Sequence, residues 1–150
     1  MIKIICLGKI KEKYLKDAEK EYLKRLTKYH KLELIELEDI NDSDIKHALI
    51  KEKELILKKI NPKDNVFILD IKGKQLDSME FSKHLDKELT YNSNITFIIG
   101  SSNGLDNEIR NAYPSISFSN LTFPHQLFRI MLLEQIYRSF KIINNELYHK

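Results

Sequence analysis

The last thirty residues hold side chains that could bind an anion or accept a proton. His125 and Arg129 are four residues apart, which places them on one face in the first turns of a predicted helix. A cation at a helix N-terminus opposes the helix dipole, and a bound phosphate or carboxylate would offset that conflict. The alternative is that Arg129 pairs with a carboxylate elsewhere in the fold. The residues alone leave both interpretations open.

Farther along the same helix, Glu134 and Arg138 have the spacing of an ion pair, and Tyr137 lies between them. Apolar residues cover more than one face of this helix, at Leu127, Phe128, Ile130, Met131, Leu132, Leu133, Ile136, Phe140 and Ile143. A helix this apolar is buried nearly all round. It predicts either a subunit interface, which Leu133→Asp is expected to break, or a central core helix.

The chain ends on Tyr148, His149 and Lys150. An aromatic ring can stack on a nucleic-acid base, and a cation can contact a phosphate. His149 and His125 also titrate near neutral pH, so either could accept a proton. The alternative for this end of the chain is a frayed tail.

Three loops that follow predicted strands could form a ligand pocket, because parallel sheets bind ligands beyond the carboxyl ends of their strands. The first follows Leu69 and Asp70. The second covers residues 100–104, where glycines let the backbone approach a ligand, although a simple turn also explains them. The third covers residues 118–123, whose free backbone N–H groups before a helix could wrap an adenine ring. Its alternative is an ordinary loop in which Thr122 caps the helix.

The usual catalytic motifs are missing from the sequence. Its four glycines build neither a dinucleotide fingerprint nor a phosphate loop, and no Gly-x-Ser-x-Gly elbow occurs. The five histidines show no pair at metal-ligand spacing, and Cys6 has no second cysteine to pair with. We therefore expect no metal site and no disulfide. These absences disfavour dehydrogenases, kinases, metalloenzymes and esterases.

Length and composition fit one folded domain over residues 1–150, with 42% hydrophobic and 31% charged residues. No apolar run reaches the length of a membrane span, and the single cysteine favours a reducing cytoplasm. The net charge is +3, and the first 31 residues hold ten basic and four acidic residues. This basic region could bind nucleic acid, so a noncatalytic ribosome-binding or RNA-binding protein that uses residues 11–31 stays open.

Strand and helix patterns alternate along the chain. The predicted strands are 2–7, 32–37, 66–70, 95–99 and 116–118, and the predicted helices are 11–30, 42–59, 78–89, 106–112 and 124–144. We expect Ser43 or Asp42 to cap the second helix and Gly73 to end the third strand. This order predicts an α/β fold with a mostly parallel sheet flanked by helices.

The sequence resembles a known family over its whole length. The resemblance is carried by IIGSSNGL at 98–105, LTFPHQLFRIMLLEQIYRSFKI at 121–142 and the terminal YHK, together with LDIKGK at 69–74 and Gly8 after the opening strand. These segments are similar to the small methyltransferases called ribosomal RNA large subunit methyltransferase H, which belong to the SPOUT superfamily.

This resemblance implies a C-terminal trefoil knot and a homodimer with the last helix in the interface. It also implies that S-adenosylmethionine is used to methylate N3 of a pseudouridine in 23S ribosomal RNA, within the assembled ribosome. Carried over by position, the cofactor contacts are Leu69, Gly100, Phe118, Ser119, Asn120, Leu121, Thr122 and Phe123. For catalysis we expect Arg129, Tyr137, Arg138 and His149, and for RNA contact His125, Tyr148 and Lys150, some of them supplied across the dimer.

The chain departs from the family pattern at one position. Relatives usually have two glycines where this chain has Gly100 and Ser101. A positive φ at the second position would strain Ser101, but we expect the change to be tolerated because Gly100 and Gly104 remain. Binding of the methionine tail could be weaker. Nothing in the sequence reads a base directly, so another RNA substrate, such as transfer RNA, also stays open.

Overall fold

Five parallel strands form one sheet in the computed structural model, which describes residues 1–92 and 94–150. The strands are β1 (Ile2–Leu7), β2 (Leu32–Leu37), β3 (Asn65–Gln75), β4 (Ile95–Ile99) and β5 (Ser115–Ser117). Their order across the sheet is β2-β1-β4-β3-β5, and each pairing is parallel. The carboxyl ends of β4, β3 and β5 therefore lie side by side at one edge.

Helices cover both faces of the sheet. They are α1 (Lys13–Leu26), α2 (Ile45–Leu57), α3 (Ser78–Tyr91), α4 (Asn107–Ala112) and α5 (His125–Ile143). On one face α1, α3 and α5 bury Leu26, Leu85 and Leu133, and on the other α2 and α4 bury Ile56 and Ile109. All of β1 is buried, since its side chains alternate between these two cores. The predicted α/β fold with a parallel sheet between helices is confirmed.

The third strand is longer than its sequence pattern indicates, and the prediction that Gly73 ends it is wrong. β3 continues to Gln75, and its register on β5 shifts so that Ile116 pairs with both Leu69 and Lys74. A Cβ on Gly73 would lie 2.7 Å from the backbone carbon of Ser115. Glycine is needed there because the two strands approach too closely for any side chain.

Two predicted helix caps are also wrong. Asp44, rather than Ser43 or Asp42, caps α2, and its carboxylate accepts the N–H groups of Lys46 and His47. The residue before α5 is Pro124, so Thr122 is not its cap. No side-chain cap was found for α5 among the described residues, which leaves backbone N–H groups available where this helix begins.

The last helix is a core element of the single chain. Its buried residues include Leu133 and Ile136, both 0% exposed, which pack against the sheet. Leu133→Asp would place a carboxylate in this core and destabilise the fold itself. Leu133 is therefore not a specific probe of a dimer, α5 is a core helix of the single chain, and a subunit interface along α5 stays a prediction.

Candidate functional site

A cavity of about 630 Å³ lies at the carboxyl ends of β3, β4 and β5. Its walls come from residues 69–71 inside β3, from the loops after β4 and β5 and from the start of α5. Seven of the eight residues expected to contact a cofactor line it, namely Leu69, Gly100, Phe118, Ser119, Leu121, Thr122 and Phe123. Asn120 is exposed and is not among the described residues that line the cavity. Segments about fifty residues apart in sequence thus converge on one space.

One wall of the cavity is apolar and firmly packed. Phe118 lies edge-on against Phe81 of α3, with ring centroids 5.5 Å apart, and is 5.1 Å from the ring of Phe128. Leu69 and Ile116 are buried beneath these rings. Such a wall suits a flat heterocyclic ring, since aromatic side chains bury a large area in a defined geometry.

Two serines shape the loop after β5. The Ser117 hydroxyl, which is buried, donates to the backbone carbonyl of Ser119 at 3.0 Å. The Ser119 hydroxyl in turn accepts the N–H of Leu121 at 3.0 Å. These bonds hold residues 117–121 in a turn, and all of these residues except the exposed Asn120 line the cavity. Ser117 was missed in the sequence because a lone serine inside a short strand carries no signal.

The loop after β4 is folded tightly on itself. A Cβ on Gly100 would lie 2.5 Å from the carbonyl oxygen of Gly104, and Gly104 itself has a φ of +82°. The N–H of Gly104 donates to the carbonyl of Ser101 at 2.9 Å. Among the described non-glycine residues only Asn145 has a positive φ, so Ser101 carries no left-handed strain. The sterically demanding positions are therefore the two glycines that this chain retains.

An ion pair in the cavity wall was not predicted from the sequence. The Nε of Arg110 lies 3.0 Å from Oδ2 of Asp70, and both residues line the cavity. The same Nε is buried and makes no well-aligned hydrogen bond to any described residue. Arg110 lies in α4 and Asp70 in β3, far apart in the sequence, so only the folded structure brings the two side chains together. The pair adds charge to a largely apolar space.

His125 lies in the wall of the cavity, at the first turn of α5. Its imidazole Nε2 is 2.9 Å from the point where a Cβ on Gly8 would lie. Burial lowers the pKa of His125 below its usual value, while nearby Asp39 acts in the opposite direction and Arg129 adds to the lowering. A neutral imidazole at pH 7 can accept a proton.

Arg129 is enclosed in the protein, at 1% exposure. Its Nη1 donates to the carboxylates of Glu36 at 2.5 Å and Glu19 at 3.1 Å, and its Nη2 donates to the carbonyl of Gly8 at 2.7 Å. The alternative of pairing with a carboxylate elsewhere in the fold is therefore confirmed. A guanidinium enclosed in this way ties α5 to α1 and to the ends of β1 and β2, and it is not open to RNA in this conformation.

The other expected catalytic residues form a second cluster with the chain terminus. The guanidinium carbon of Arg138 lies 4.9 Å from the ring centroid of Tyr148, and Nη1 of Arg138 is 3.1 Å from Nδ1 of His149. The ring of Tyr137 is 5.0 Å from that of Tyr148. Glu134 accepts from Arg138 at 2.5 Å, which confirms their predicted ion pair. The tail therefore packs on α5, contrary to the frayed-tail alternative, although Lys150 is exposed.

Burial, followed by the hydrogen bond that Tyr148 donates to Glu134 at 3.0 Å, raises the pKa of Tyr148 to about 12. The phenol is thus protonated at neutral pH. Arg138 is thirteen residues beyond His125 on α5, which at 1.5 Å per residue is about 20 Å along the helix. The structure therefore does not bring this cluster to the cavity of the same chain.

In residues 1–92 and 94–150, no group of three or more His, Cys, Asp or Glu side chains is arranged to hold a metal ion. Within the same described ranges, no helix is both long and apolar enough to span a membrane.

Comparison with known proteins gives a consistent family. A family model described as "Predicted SPOUT methyltransferase" matches residues 1–149. The "Ribosomal RNA large subunit methyltransferase H 1" of Clostridium perfringens (strain SM101 / Type A) is 52% identical over 157 residues, covering 99% of each chain. The methyltransferases H of Caldicellulosiruptor saccharolyticus and Enterococcus faecalis are 49% and 47% identical, covering 100% and 99% of both chains.

A solved structure supports the fold alone. The "probable methylase family protein from Haemophilus influenzae Rd KW20" matches with a TM-score of 0.59 at 13% identity, over 99% of this chain and 70% of that chain.

The chain has an α/β fold with a cavity at the carboxyl edge of its parallel sheet, which is where folds of this class usually bind ligands. With the family match over nearly its full length, the chain belongs to the SPOUT methyltransferase family. Within that family, its similarity to full-length relatives places it with the proteins named ribosomal RNA large subunit methyltransferase H.

Proposed function

We propose that this protein transfers the methyl group of S-adenosylmethionine to N3 of a pseudouridine in 23S ribosomal RNA, within the assembled ribosome. The observation that carries the proposal is the convergence of Leu69, Gly100 and the loop after Phe118 on one cavity. The relatives' printed names supply ribosomal RNA of the large subunit as the substrate class. The base and the atom come from the resemblance of residues 98–105, 121–142 and the YHK terminus.

The cavity fits an adenosyl cofactor in size and chemistry. Its volume of about 630 Å³ is within the usual range for small-molecule sites. An aromatic wall at Phe118 and Phe128 suits the adenine, and the backbone of residues 118–123 offers donors and acceptors to its edge. The tightly folded loop at Gly100 leaves no room for a side chain, so a ligand can approach its backbone.

The sulfonium of this cofactor supplies an already activated methyl group. The protein must therefore orient N3 in line with the donor carbon and exclude water, which is mainly a contribution of positioning. A base must accept the N3 proton while the N3 electron pair forms the new bond to carbon and the carbon–sulfur bond of the donor breaks, with its electron pair left on a thioether sulfur. His125 is suited to this in the same chain, because it lines the cavity and burial favours its neutral form.

We infer a homodimer in which the tail of one chain serves the cavity of the other. The cluster of Tyr137, Arg138, Tyr148 and His149 is about 20 Å along α5 from its own cavity, by the helical rise. A second copy in the opposite direction along α5 would bring that cluster to the bound RNA. Arg138 and Lys150 would then contact phosphates, and Tyr148 would stack on a base.

The C-terminal trefoil knot is part of the same proposal. The match of residues 1–149 to the SPOUT methyltransferase family supports it. We assign the protein to the cytoplasm, where assembled ribosomes of the proposed kind are found.

Mass spectrometry of 23S ribosomal RNA from cells with and without this protein tests the function. One pseudouridine should lose 14 Da, the mass of a methyl group replacing hydrogen, when the protein is absent. If ribosomal RNA is unchanged but a transfer RNA lacks a methyl group when the protein is absent, transfer RNA is favoured as the substrate. Calorimetry with S-adenosylhomocysteine in the absence of RNA separates a methyltransferase of either substrate from a noncatalytic RNA-binding protein. The methyltransferase should bind S-adenosylhomocysteine, and the noncatalytic protein should not.

A further inference from the structure

A buried carboxylate lies outside the cavity, on the inward face of α2. Glu52 is 2% exposed, and the residues one turn before and after it, Ala48 and Ile56, are also buried. The three positions form one stripe at four-residue spacing that packs on the sheet. A carboxylate in the middle of such a stripe is costly unless hydrogen bonds compensate for its lost hydration.

Both oxygens of Glu52 are hydrogen-bonded. Oε1 accepts the backbone N–H of Ile40 at 3.1 Å, and Oε2 accepts the hydroxyl of Ser101 at 2.9 Å. Ile40 follows β2, and Ser101 follows β4. One side chain therefore joins α2 to two loops at the carboxyl edge of the sheet.

Ser101 is the residue that organises the loop after β4. Its carbonyl accepts the N–H of Gly104 at 2.9 Å, and its hydroxyl oxygen accepts the N–H of Asn103 at 3.4 Å. The same hydroxyl donates to Glu52, which fixes its orientation. Residues 100–105 all line the cavity, so the position of Ser101 sets the shape of one wall.

We propose that Glu52 is a positioning residue that acts through Ser101 to hold the loop of residues 100–104 in its ligand-binding shape. Glu52 is not among the described residues that line the cavity, so it acts without touching the ligand. The effect on cofactor affinity rests on the proposed function, whereas the effect on the loop does not.

Calorimetric titration of the full chain with S-adenosylhomocysteine tests the effect on affinity. Ser101→Ala and Glu52→Ala should each raise Kd about ten-fold, since each removes one buried hydrogen bond that shapes the wall. The double variant should raise Kd no further than the worse single variant, because both changes break the same link. Glu52→Gln should bind like the wild type, because its amide oxygen can accept from Ile40 and its NH2 can donate to Ser101.

Ser82→Ala is the matched control. The Ser82 hydroxyl is also buried and hydrogen-bonded, but it donates to the Met79 carbonyl within α3. Its loss should leave Kd unchanged. If Ser101→Ala binds as tightly as the wild type, the proposal is overturned. If Glu52→Ala does not fold, the affinities of Ser101→Ala and Glu52→Gln still decide whether Glu52 positions the loop.

Amide hydrogen exchange of the ligand-free protein separates this proposal from the proposed function. Ser101→Ala and Glu52→Ala should speed the exchange of the Asn103 and Gly104 amides about ten-fold, while Ser82→Ala should not. If the wild type binds no S-adenosylhomocysteine, the proposed function fails, and exchange alone then decides whether Glu52 positions the loop. Unchanged exchange at both amides overturns the proposal in either case.

Discussion

At the residue scale, Gly100, which follows β4, is the glycine with the least space for a side chain. The nearest atom to a Cβ on Gly100 is the carbonyl oxygen of Gly104, which belongs to the same cavity wall. This contact could not be read from the sequence, where two glycines four residues apart are equally consistent with an ordinary turn.

Gly100→Val should lower the affinity for S-adenosylhomocysteine at least about ten-fold, because the loop must open to relieve a contact of 2.5 Å. Calorimetry measures the change, and a circular dichroism melt checks that the sheet remains folded. Ser82→Ala is the control, since Ser82 lies in α3 and is not among the described residues that line the cavity. Normal binding by Gly100→Val would remove this loop from the ligand site.

Arg129 was expected to act in catalysis, but its guanidinium is enclosed by groups of its own chain. Its position four residues after His125 suggested an anion site, but its guanidinium is bound by Glu19, Glu36 and the carbonyl of Gly8. The sequence could not choose between the two, because Glu19 and Glu36 are about a hundred residues away from it.

Arg129→Ala should lower the free energy of unfolding by about 3–5 kcal/mol, since it leaves the carboxylates of Glu19 and Glu36 without the cation that compensates their charge. Urea unfolding gives this value. Arg138→Ala is the control, because the Arg138–Glu134 pair is partly exposed and should cost at most about 1 kcal/mol. Equal losses for the two variants would contradict a structural role specific to Arg129.

At the element scale, the periodic elements were predicted well and their ends were not. β1, β2 and β4 agree with the predicted bounds, because β1 and β4 are runs of mostly apolar residues and β2 has the alternating pattern of a half-buried strand. β3 passes Gly73 because β5 lies against it, and that neighbour comes from a segment more than forty residues later. Contacts of this kind override local turn signals.

The packing of α3 on the sheet makes stability depend on pH. His84 of α3 lies edge-on against Phe67 of β3, with ring centroids 4.6 Å apart, and its Nε2 has no hydrogen-bond partner among the described residues. Burial, as the largest effect, lowers the pKa of His84, and that of His30 is also lowered by burial. Both imidazoles are half-buried, which favours their neutral form.

The free energy of unfolding should be at its full value above about pH 6.5, the ordinary pKa of histidine. It should fall as the pH drops through the lowered folded pKa values, because the unfolded chain binds protons first. Urea unfolding between pH 7.5 and pH 5 measures this slope. His84→Gln should reduce it, whereas Lys83→Gln, at an exposed position on the same helix, should not. If His84→Gln keeps the wild-type slope, the pH dependence of the free energy of unfolding does not come from His84.

At the scale of the whole molecule, the proposed dimer must use surface that the single chain leaves exposed. Leu133 is unsuitable as a probe because it is in the core, but Leu127 of α5 is 39% exposed. Leu127→Arg should halve the sedimenting mass by placing a charge in an apolar interface. Ile50→Arg on α2, where Ile50 is 43% exposed, is the control and should sediment as the wild type. An unchanged mass for Leu127→Arg would exclude this part of α5 from an interface.

Complementation tests whether the terminal cluster acts in the partner's cavity. A Gly100→Val chain and a chain lacking residues 148–150 should each be inactive alone. Co-expressed, they should recover roughly a quarter of wild-type methylation, because half of the dimers are mixed and each mixed dimer has one complete site. The measurement is methyl transfer to ribosomes. No recovery, with mixed dimers demonstrated by affinity tags, would place the tail in its own chain's site.

The alternation of strands and helices, the buried faces of β1 and β4 and the loops after β4 and β5 follow from the sequence by itself. They do so because periodicity and turn residues act over a few neighbouring positions. Only the tertiary structure decided the partners of Arg129, the Asp70–Arg110 pair, the link from Glu52 to Ser101 and the distance of the tail from the cavity. Each joins groups far apart along the chain, and their meeting depends on how the helices pack on the sheet.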